Sequence, residues 1–430
     1  MAAGLSGCDG AAGGKGRVLH VLVGADPSHA AARRAWMARI EREFTAETGA
    51  TVSFDTFSSA GDEQTRIQSS ILSGTGPDIY SIGTTFTPVA YATGSFRVLT
   101  GSDWKRIGGR DKFMPSALAM SGPDAQHDIG VPLSERPYGM LYNTALFHSA
   151  GISSPPKTWD QFLTDAKKLT NRKAGVYGTA MDYADPYDPW KFIWTFALQS
   201  GARLTSDNVS KAQLDDPRIA GAVDHYFDFL GTQHVVDPAS VGWNSAQATA
   251  AFAAGKAAML PMVNPQAAAT LEKSAVRGTY RFVPLPLVPF GATARPHGGL
   301  AAGSIVSGDN LVVAGYTKHA NLAMDFLALV TSTPEQKYYN RAFGDLPSVA
   351  SAARGRVASD SRIAEYIAAE KTSIPTTFSG AWAQIQLGLG NVVAQSLPAL
   401  AKGGYDPSAV RRLLSTANDT VQSSLNEQRH

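Results

Sequence analysis

Strand and helix patterns alternate over residues 18–82, and this series constrains the fold more than any other feature of the chain. Residues 18–23 are a short apolar run typical of a strand, and residues 28–48 have helical spacing that ends at Gly49. A second strand pattern, a second helix and a third strand follow over 51–54, 63–72 and 78–82. Strands separated by helices pair in parallel, and an open parallel sheet has its ligand crevice at the carboxyl ends of its strands. The sequence therefore predicts an α/β fold with a ligand site at that edge.

Length and charge narrow the class of protein. A chain of 430 residues is too long for one ordinary core and favours two domains. Its 38 Lys and Arg nearly balance its 36 Asp and Glu, and this net charge of +2 is too small to bind a phosphate backbone, so nucleic acid is not an expected partner. The most apolar stretch, 246–263, contains Gln247, Thr249 and Lys256, so no membrane span is predicted.

The single cysteine is interpreted from its position. Cys8 closes the sequence Leu5-Ser6-Gly7-Cys8, which has the form of a bacterial lipobox, and a glycine-rich stretch typical of a flexible tether follows over 9–16. We therefore expect lipidation of Cys8, with residues 1–16 as lipobox remnant and tether, and attachment to the membrane through lipid. The alternative is a chance match, because the seven residues before Cys8 lack the charged and apolar regions of a signal peptide.

Short segments spread along the chain match one family in their order. They are FTAETG at 44–49, ILSGTGPDI at 71–79, the stretch 132–147 with Tyr142-Asn143, PKTW at 156–159, FAAGKAAM at 252–259, GG at 298–299, NLAMDFL at 321–327 and GDLP at 344–347. This order resembles the extracellular solute-binding proteins of carbohydrate ABC importers, of the maltose, multiple-sugar and glycerol-phosphate type.

The resemblance implies a two-lobed fold like that of periplasmic binding proteins, in which a hinge joins two α/β lobes and the ligand is held in the cleft between them. Lobe I is expected at 17–129 plus 304–348 and lobe II at 130–303 plus 349–430, with crossings near Gly130, Gly303 and Ser348. It also implies a monomer outside the cytoplasm, without cofactor or metal ion, that captures a small carbohydrate. Membrane permease subunits of the importer would recognise the closed, liganded shape.

The expected sugar site combines polar side chains with aromatic rings. Sugar hydroxyls need paired donors and acceptors, whereas the C–H face of a sugar packs on a ring. The densest patch of this kind is residues 182–191, where prolines prevent a regular helix before Trp190. From this segment we predict as ligand residues Asp182, Tyr183, Tyr187, Asp188, Trp190 and Lys191.

Positions that match the family add further candidates. They are Asp26 after the first strand, Thr84, Thr85 and Phe86 after the third, Arg136 and Tyr138 on the crossover strand, Asn264 after the GKAAM strand, the backbone of Gly298, Gly299 and Leu300, and Trp382 as a late stacking aromatic. Each has a structural alternative. Asp26 could cap a helix, Arg136 could form a structural ion pair, and Tyr183 or Tyr187 could cap the loop. One tryptophan of the next helix, more readily Trp194 than Trp190, is expected in the core together with Trp159 and Phe162.

Other functions fit parts of the pattern. A glycoside hydrolase would also use carboxylates and aromatic rings, but it needs two carboxyl groups facing each other across the scissile bond, and no spacing here sets two acids face to face. Within the binding class, a glycerophosphodiester or a peptide is an alternative ligand. The acids Asp182, Asp185 and Asp188 raise the narrower hypothesis of an amino sugar, against which stands a solvated acidic loop.

Overall fold

The computed structural model describes residues 17–58, 60–354 and 361–428, so Cys8 and the predicted tether lie outside the described residues. The strands are β1 Val18–Gly24, β2 Thr51–Phe57, β3 Ile79–Gly83, β4 Gly130–Glu135, β5 Gly139–Asn143, β6 Tyr177–Thr179, β7 Ala257–Val263, β8 Tyr280–Val283, β9 Ser304–Ile305, β10 Gly308–Val313, β11 Leu346–Pro347 and β12 Ser373–Ile374. The helices are α1 Ala30–Thr48, α2 Ala60–Ser73, α3 Thr87–Ala92, α4 Gly101–Ile107, α5 Pro115–Leu118, α6 Thr144–Ser149, α7 Trp159–Leu169, α8 Pro189–Gln199, α9 Pro217–Gly231, α10 Ser245–Ala253, α11 Ala268–Leu271, α12 Ala320–Val330, α13 Thr333–Phe343, α14 Ala350–Ala353, α15 Ser361–Glu370, α16 Trp382–Leu400 and α17 Pro407–Glu427. Within these ranges, no helix has the length and apolarity that a membrane crossing requires.

A six-stranded sheet forms lobe I, in the order β11-β4-β10-β3-β1-β2. Strand β1 pairs in parallel with both β2 and β3, as the alternating pattern predicted, whereas β10 runs antiparallel to β3 and β4. Apolar clusters cover both faces: Leu19, Val21 and Val23 pack towards α1, α12 and α13, and Leu22 belongs to the opposite cluster. Parallel strands buried on both faces are apolar almost throughout, which explains the apolar run at residues 18–23, interrupted by the exposed His20.

Lobe II contains a four-stranded sheet in the order β6-β7-β5-β8. The largest apolar cluster of the described chain lies on one of its faces, among α7, α8, α9, α16 and α17. It contains Trp159, Phe162 and Trp194, which confirms their predicted place in the core. Helix α7 begins with a capping box, in which Thr158 and Gln161 satisfy each other's backbone amides, so its start is fixed by local sequence.

Short extended segments join the two lobes. Strand β9 pairs in parallel with β12, and the backbone N–H of Tyr138 donates to Ser304 Oγ at 2.8 Å, while that of Arg136 donates to the carbonyl of Ser307 at 2.8 Å. The sequence-based boundary at residue 130 needs a correction, because β4 is hydrogen-bonded to β10 and β11 and so belongs to the sheet of lobe I. The first crossing therefore lies at 136–138.

Candidate functional site

Two adjoining cavities lie between the lobes, next to the ends of β1 and β3. Their volumes are about 290 and 460 Å³, and they share the walls formed by Ser28, Tyr138, Asn264 and Gln266. Volumes of this order suit small-molecule ligands, whose pockets commonly measure about 300–1,000 Å³. The candidates from the sequence that line the larger cavity are Asp26, Thr84, Thr85, Arg136, Tyr138, Tyr187 and Asn264, and those that line the smaller one include Asp182 and Asp188.

On the side of lobe II, a buried lysine organises two tyrosines. Lys191 donates to the hydroxyl of Tyr138 at 2.9 Å and pairs with the carboxylate of Asp188, and its ammonium lies 4.4 and 4.9 Å from the ring centroids of Tyr138 and Tyr187. Burial alone would lower the pKa of Lys191, but the Asp188 carboxylate together with the hydroxyls of Tyr138 and Tyr187 outweighs burial, so the pKa is raised and the lysine stays charged. Lys191 thus contacts both tyrosine rings and helps to fix their positions, but it does not line either cavity.

On the side of lobe I, Arg136 is the centre of an ion-pair network. Its guanidinium contacts both carboxylate oxygens of Asp309, at 2.5 and 2.9 Å, and Asp345 at 3.3 Å. Burial raises the pKa of Asp345 to about 6, although Arg136 opposes that rise. The structural alternative proposed for Arg136 is therefore realised, while the residue also lines the larger cavity.

Asp26 likewise has a structural role at the cavity wall. It caps the short 3₁₀ helix Pro27–His29, where its carboxylate accepts the backbone N–H and the ring Nδ1 of His29, both at 3.0 Å. A guanidinium nitrogen of Arg33 lies 4.0 Å from the same carboxylate. Asp26 is thus a cap, as its alternative interpretation predicted, and it also faces the cavity.

Three predicted aromatic contacts are corrected by burial. Trp190 and Trp382 are 1% and 0% exposed and pack edge to face with ring centroids 5.4 Å apart, so neither offers a free face to a ligand. Tyr183 is equally buried, and its hydroxyl donates to the backbone carbonyl of Tyr226 at 3.0 Å. The predicted rings with access to the cavities are those of Tyr138 and Tyr187, the latter 38% exposed, and Phe57, which was not predicted, also lines the larger cavity.

Two further groups of predicted ligand residues lie away from the cavities. The segment Gly298–Leu300 packs on the C-terminal end of α8, where Leu300 N–H donates to the carbonyl of Leu198 at 2.9 Å and a Cβ on Gly299 would lie 2.4 Å from the carbonyl of Gln199. Helix α8 begins at the cleft, so Gly299 serves close packing at its opposite end, whereas Gly298 adopts a left-handed φ of 79°. Phe86 packs on the apolar cluster of lobe I that contains Leu22.

The acidic segment is largely satisfied by the protein itself. Asp182, Asp185 and Asp188 each place a carboxylate oxygen within 4.8 Å of the others. However, Asp188 pairs with Lys191, and Asp185 accepts the backbone amides of Tyr187, Asp188 and Ser245. Burial, and then the carboxylates of Asp188 and Asp185, raise the pKa of Asp182 well above its usual range. These contacts favour a structural acidic loop over a cation site.

Direct hydrogen bonds cross from one lobe to the other. The hydroxyls of Thr85 and Tyr187 are 2.8 Å apart, and Gln266 Nε2 donates to Asp345 at 3.1 Å. Sequence analysis missed Gln266 and also missed Ser28, Arg33, Glu63 and Asp309, which line the larger cavity. The position of Gln266, two residues beyond Asn264, was an available signal. No local signal indicated Asp309 and Asp345 as the ion-pair partners of Arg136, because they lie on distant segments.

Similarity to known proteins assigns the chain to a family. The model of the family described as bacterial extracellular solute-binding protein matches residues 26–337. The chain belongs to this family. As a solute-binding protein of an extracellular family it acts outside the cytoplasm, and the similar proteins found are binding proteins.

Relatives of this solute-binding protein are known by sequence and by structure. The diacetylchitobiose binding protein DasA of Streptomyces coelicolor is 26% identical over 353 residues, which cover 80% of this chain and 75% of that one. A solute-binding protein of Thermotoga lettingae, solved with alpha-D-tagatose, superposes with a TM-score of 0.79 at 19% identity, covering 95% and 100% of the two chains. The GacH receptor of Streptomyces glaucescens, solved without ligand and with acarbose, gives 0.76 at 18% identity over 95% and 99%. These structures confirm the predicted two-lobed α/β fold.

Proposed function

We propose that the protein captures a carbohydrate between its lobes, without altering it, and delivers it to the permease of an ABC importer. The observation that carries this proposal is the pair of cavities between the lobes, lined from both sides by hydroxyl, amide and carboxyl groups and by the rings of Tyr138 and Tyr187. Polar groups of both kinds can pair with sugar hydroxyls, and the tyrosines provide rigid apolar surface for a sugar face.

The size of the ligand follows from the cavities. A space of about 460 Å³ that continues into another of about 290 Å³ suits a mono- or disaccharide. The kinship with a diacetylchitobiose binding protein makes an acetylated amino disaccharide the first candidate. An unmodified amino sugar is less favoured, because Asp185 and Asp188 are committed to internal partners.

These groups can supply the binding free energy that capture of a sugar requires. A micromolar complex corresponds to about 8 kcal/mol. Several hydrogen bonds of about 1 kcal/mol each, together with ring packing, supply that energy after the costs of association.

The test is calorimetric titration of the purified protein with N,N′-diacetylchitobiose, maltose, tagatose, glucosamine and glycerophosphocholine. We expect saturable binding of at least one neutral sugar, and Tyr187→Ala should weaken it at least about tenfold by removing a ring that faces the cavity. The matched control is Tyr142→Ala, since Tyr142 is half-buried in β5 and packs on Phe147 within lobe II. Binding of glycerophosphocholine alone would refute the carbohydrate assignment.

The enzymatic alternative has its own measurement. Hydrolysis requires a proton donor and a nucleophile or base on the two sides of a glycosidic bond. Release of nitrophenol from 4-nitrophenyl glycosides, abolished by changing one cleft carboxylate, would establish it. We expect no release above that of a sample without protein.

Two proposals concern the protein outside the cleft. Lipidation of Cys8 and a monomeric state remain predictions from the sequence. Mass spectrometry of the protein purified from membranes tests the first, and light scattering with and without sugar tests the second.

A further inference from the structure

Glu63 is a buried acid in the wall of the larger cavity. It lies in the first turn of α2, its side chain is almost completely buried, and it faces the same space as Tyr138 and Asn264. Within the described parts of the chain, its Oε1 atom has no hydrogen-bond partner, whereas the backbone N–H of Gly83 donates to the carboxyl group. A buried polar atom without a partner is costly, so an unpaired oxygen at a cavity wall indicates a group that a ligand completes.

The charged groups around Glu63 do not neutralise it. Arg136 is committed to Asp309 and Asp345, and Arg33 lies against Asp26 and the ring of Phe343. Asp309 adds a negative charge near Glu63, and its effect on the pKa of Glu63 exceeds the opposing effect of Arg136. An ionised carboxylate here would therefore be buried without a cation of its own, and the neutral acid is favoured.

The other titratable groups on the elements around α2 are engaged elsewhere or exposed. On α2 itself, Asp62 pairs with Arg66. On the neighbouring strands, Asp55 of β2 is exposed, and the hydroxyl of Tyr80 of β3 bonds that of Tyr316 at 2.6 Å. His29 is engaged with Asp26, which also lines the cavity.

We infer that Glu63 contacts the captured solute as a neutral carboxylic acid, which donates its proton in a hydrogen bond to an oxygen atom of the solute. This inference rests on the proposed function and adds a donor of defined geometry to the lobe I wall. A carboxylic acid kept protonated by its surroundings can serve as such a donor. The natural acceptors are a hydroxyl or ring oxygen of a sugar or the carbonyl oxygen of an acetamido group.

A pH dependence with a definite sign follows. Burial, and then the charge of Asp309, raise the pKa of Glu63 to about 8. The donor is therefore present below that pH and is lost as the pH rises through it. The protonated fraction falls from about nine-tenths at pH 7 to about one-tenth at pH 9, so affinity should fall about tenfold over this interval.

The experiment measures the dissociation constant of N,N′-diacetylchitobiose, and of maltose as a second probe, by calorimetry at pH 7 and pH 9. We expect the wild type to lose about tenfold in affinity, and Glu63→Gln to give a ratio near one, because glutamine keeps a donor but does not titrate. The matched control is Glu135→Gln. Burial also raises the pKa of Glu135 to about 8, but this residue is outside both cavities, so its variant should keep the tenfold loss.

Two results would overturn the inference: an affinity of the wild type that is constant or rises with pH, or an equal loss in Glu63→Gln. If neither sugar binds at pH 7, these two ligands are excluded, the proposed function is judged on the remaining sugars, and the protonation state of Glu63 is decided without ligand. Carbon-13 NMR of labelled glutamate carboxyls identifies Glu63 by the signal missing in Glu63→Gln. A titration midpoint near 8 supports a neutral Glu63, whereas a midpoint below about 5 refutes it.

Discussion

The hydrogen bond between Thr85 and Tyr187 gives the most direct test of how the lobes close. The two hydroxyls lie on opposite lobes, 2.8 Å apart, and Gln386 Nε2 donates to the tyrosine hydroxyl at 3.2 Å. Tyr187→Phe removes this hydroxyl and keeps the ring, which packs edge to face on Trp190 with centroids 6.1 Å apart. The variant therefore removes a contact that exists only while the lobes are together.

A neutral hydrogen bond contributes about 1 kcal/mol, so its loss should shift the ratio of closed to open molecules about fivefold towards open. Small-angle X-ray scattering without ligand should then give a larger radius of gyration, and the affinity for any sugar that requires closure should fall by up to about fivefold. Thr85→Val should have the same effect on closure, and the double variant should add little, because both changes break the same bond between the lobes, whereas the Gln386 contact that Tyr187→Phe also removes joins two segments of lobe II. Tyr142→Phe is the control. Equal scattering of the Tyr187→Phe and control proteins, or strict additivity of the two changes, would refute the role of this bond in closure.

Three further variants test stability. Arg136→Ala should lower the free energy of unfolding by about 3–5 kcal/mol in urea titrations, since it leaves Asp309 and Asp345 without their cation; a loss below about 1 kcal/mol would contradict this. Glu135→Gln should be more stable than the wild type, and this difference in the free energy of unfolding should grow as the pH rises. Burial raises the pKa of Glu135 in the folded state to about 8 and the unfolded chain ionises near its usual value, so the wild type loses stability between about pH 4.5 and 8. The gain should be near zero at pH 4.5 and on the order of 3 kcal/mol at pH 7, and a gain independent of pH in thermal melts would refute the assignment. Trp190→Ala should cost about 3–5 kcal/mol by leaving a cavity in the lobe II core, seen as a lower Tm, and an unchanged Tm would show that the ring is not packed as described.

Much of the secondary structure was predictable because its signals are local. The helix pattern at 28–48 ends at Gly49, which adopts a left-handed φ of 67°. The capping box at Thr158 fixes the start of α7, and apolar periodicity assigns Trp159 and Phe162 to the core. Such signals depend on residues a few positions apart, so one sequence is enough to interpret them.

The site was predictable only in part, because its contacts join distant segments. Arg136 and Asp345 are separated by more than two hundred positions, and nothing in the residues near either one indicates the other. The order of strands puts the ends of β1 and β3 side by side, which is why Asp26 and Thr85 could be proposed together. Glu63 was assigned to an ordinary helix, since an acidic residue in a first turn is common and the groups that surround it, Gly83 and Asp309, lie on distant segments.

Aromatic residues show a second limit on predicting ligand contacts from the sequence. Tyr187 and Trp190 belong to one short segment and have the same chemistry for packing on a sugar, yet one lies at the cavity and the other is buried against Trp382. Tyr187 precedes α8, whereas Trp190 is the second residue of that helix and belongs to the lobe II core. Composition alone does not separate a ligand platform from a core residue.

The segments that cross between the lobes bear on how such proteins diversify. At the crossings, backbone groups of Arg136, Ser304 and Ile374 make the hydrogen bonds, so the junction between the lobes is held largely by the main chain. Substitutions that reshape the cleft walls can then accumulate without disturbing that junction. This accounts for an architecture that is shared, at identities of 18–19%, with chains solved with sugars as different as tagatose and acarbose.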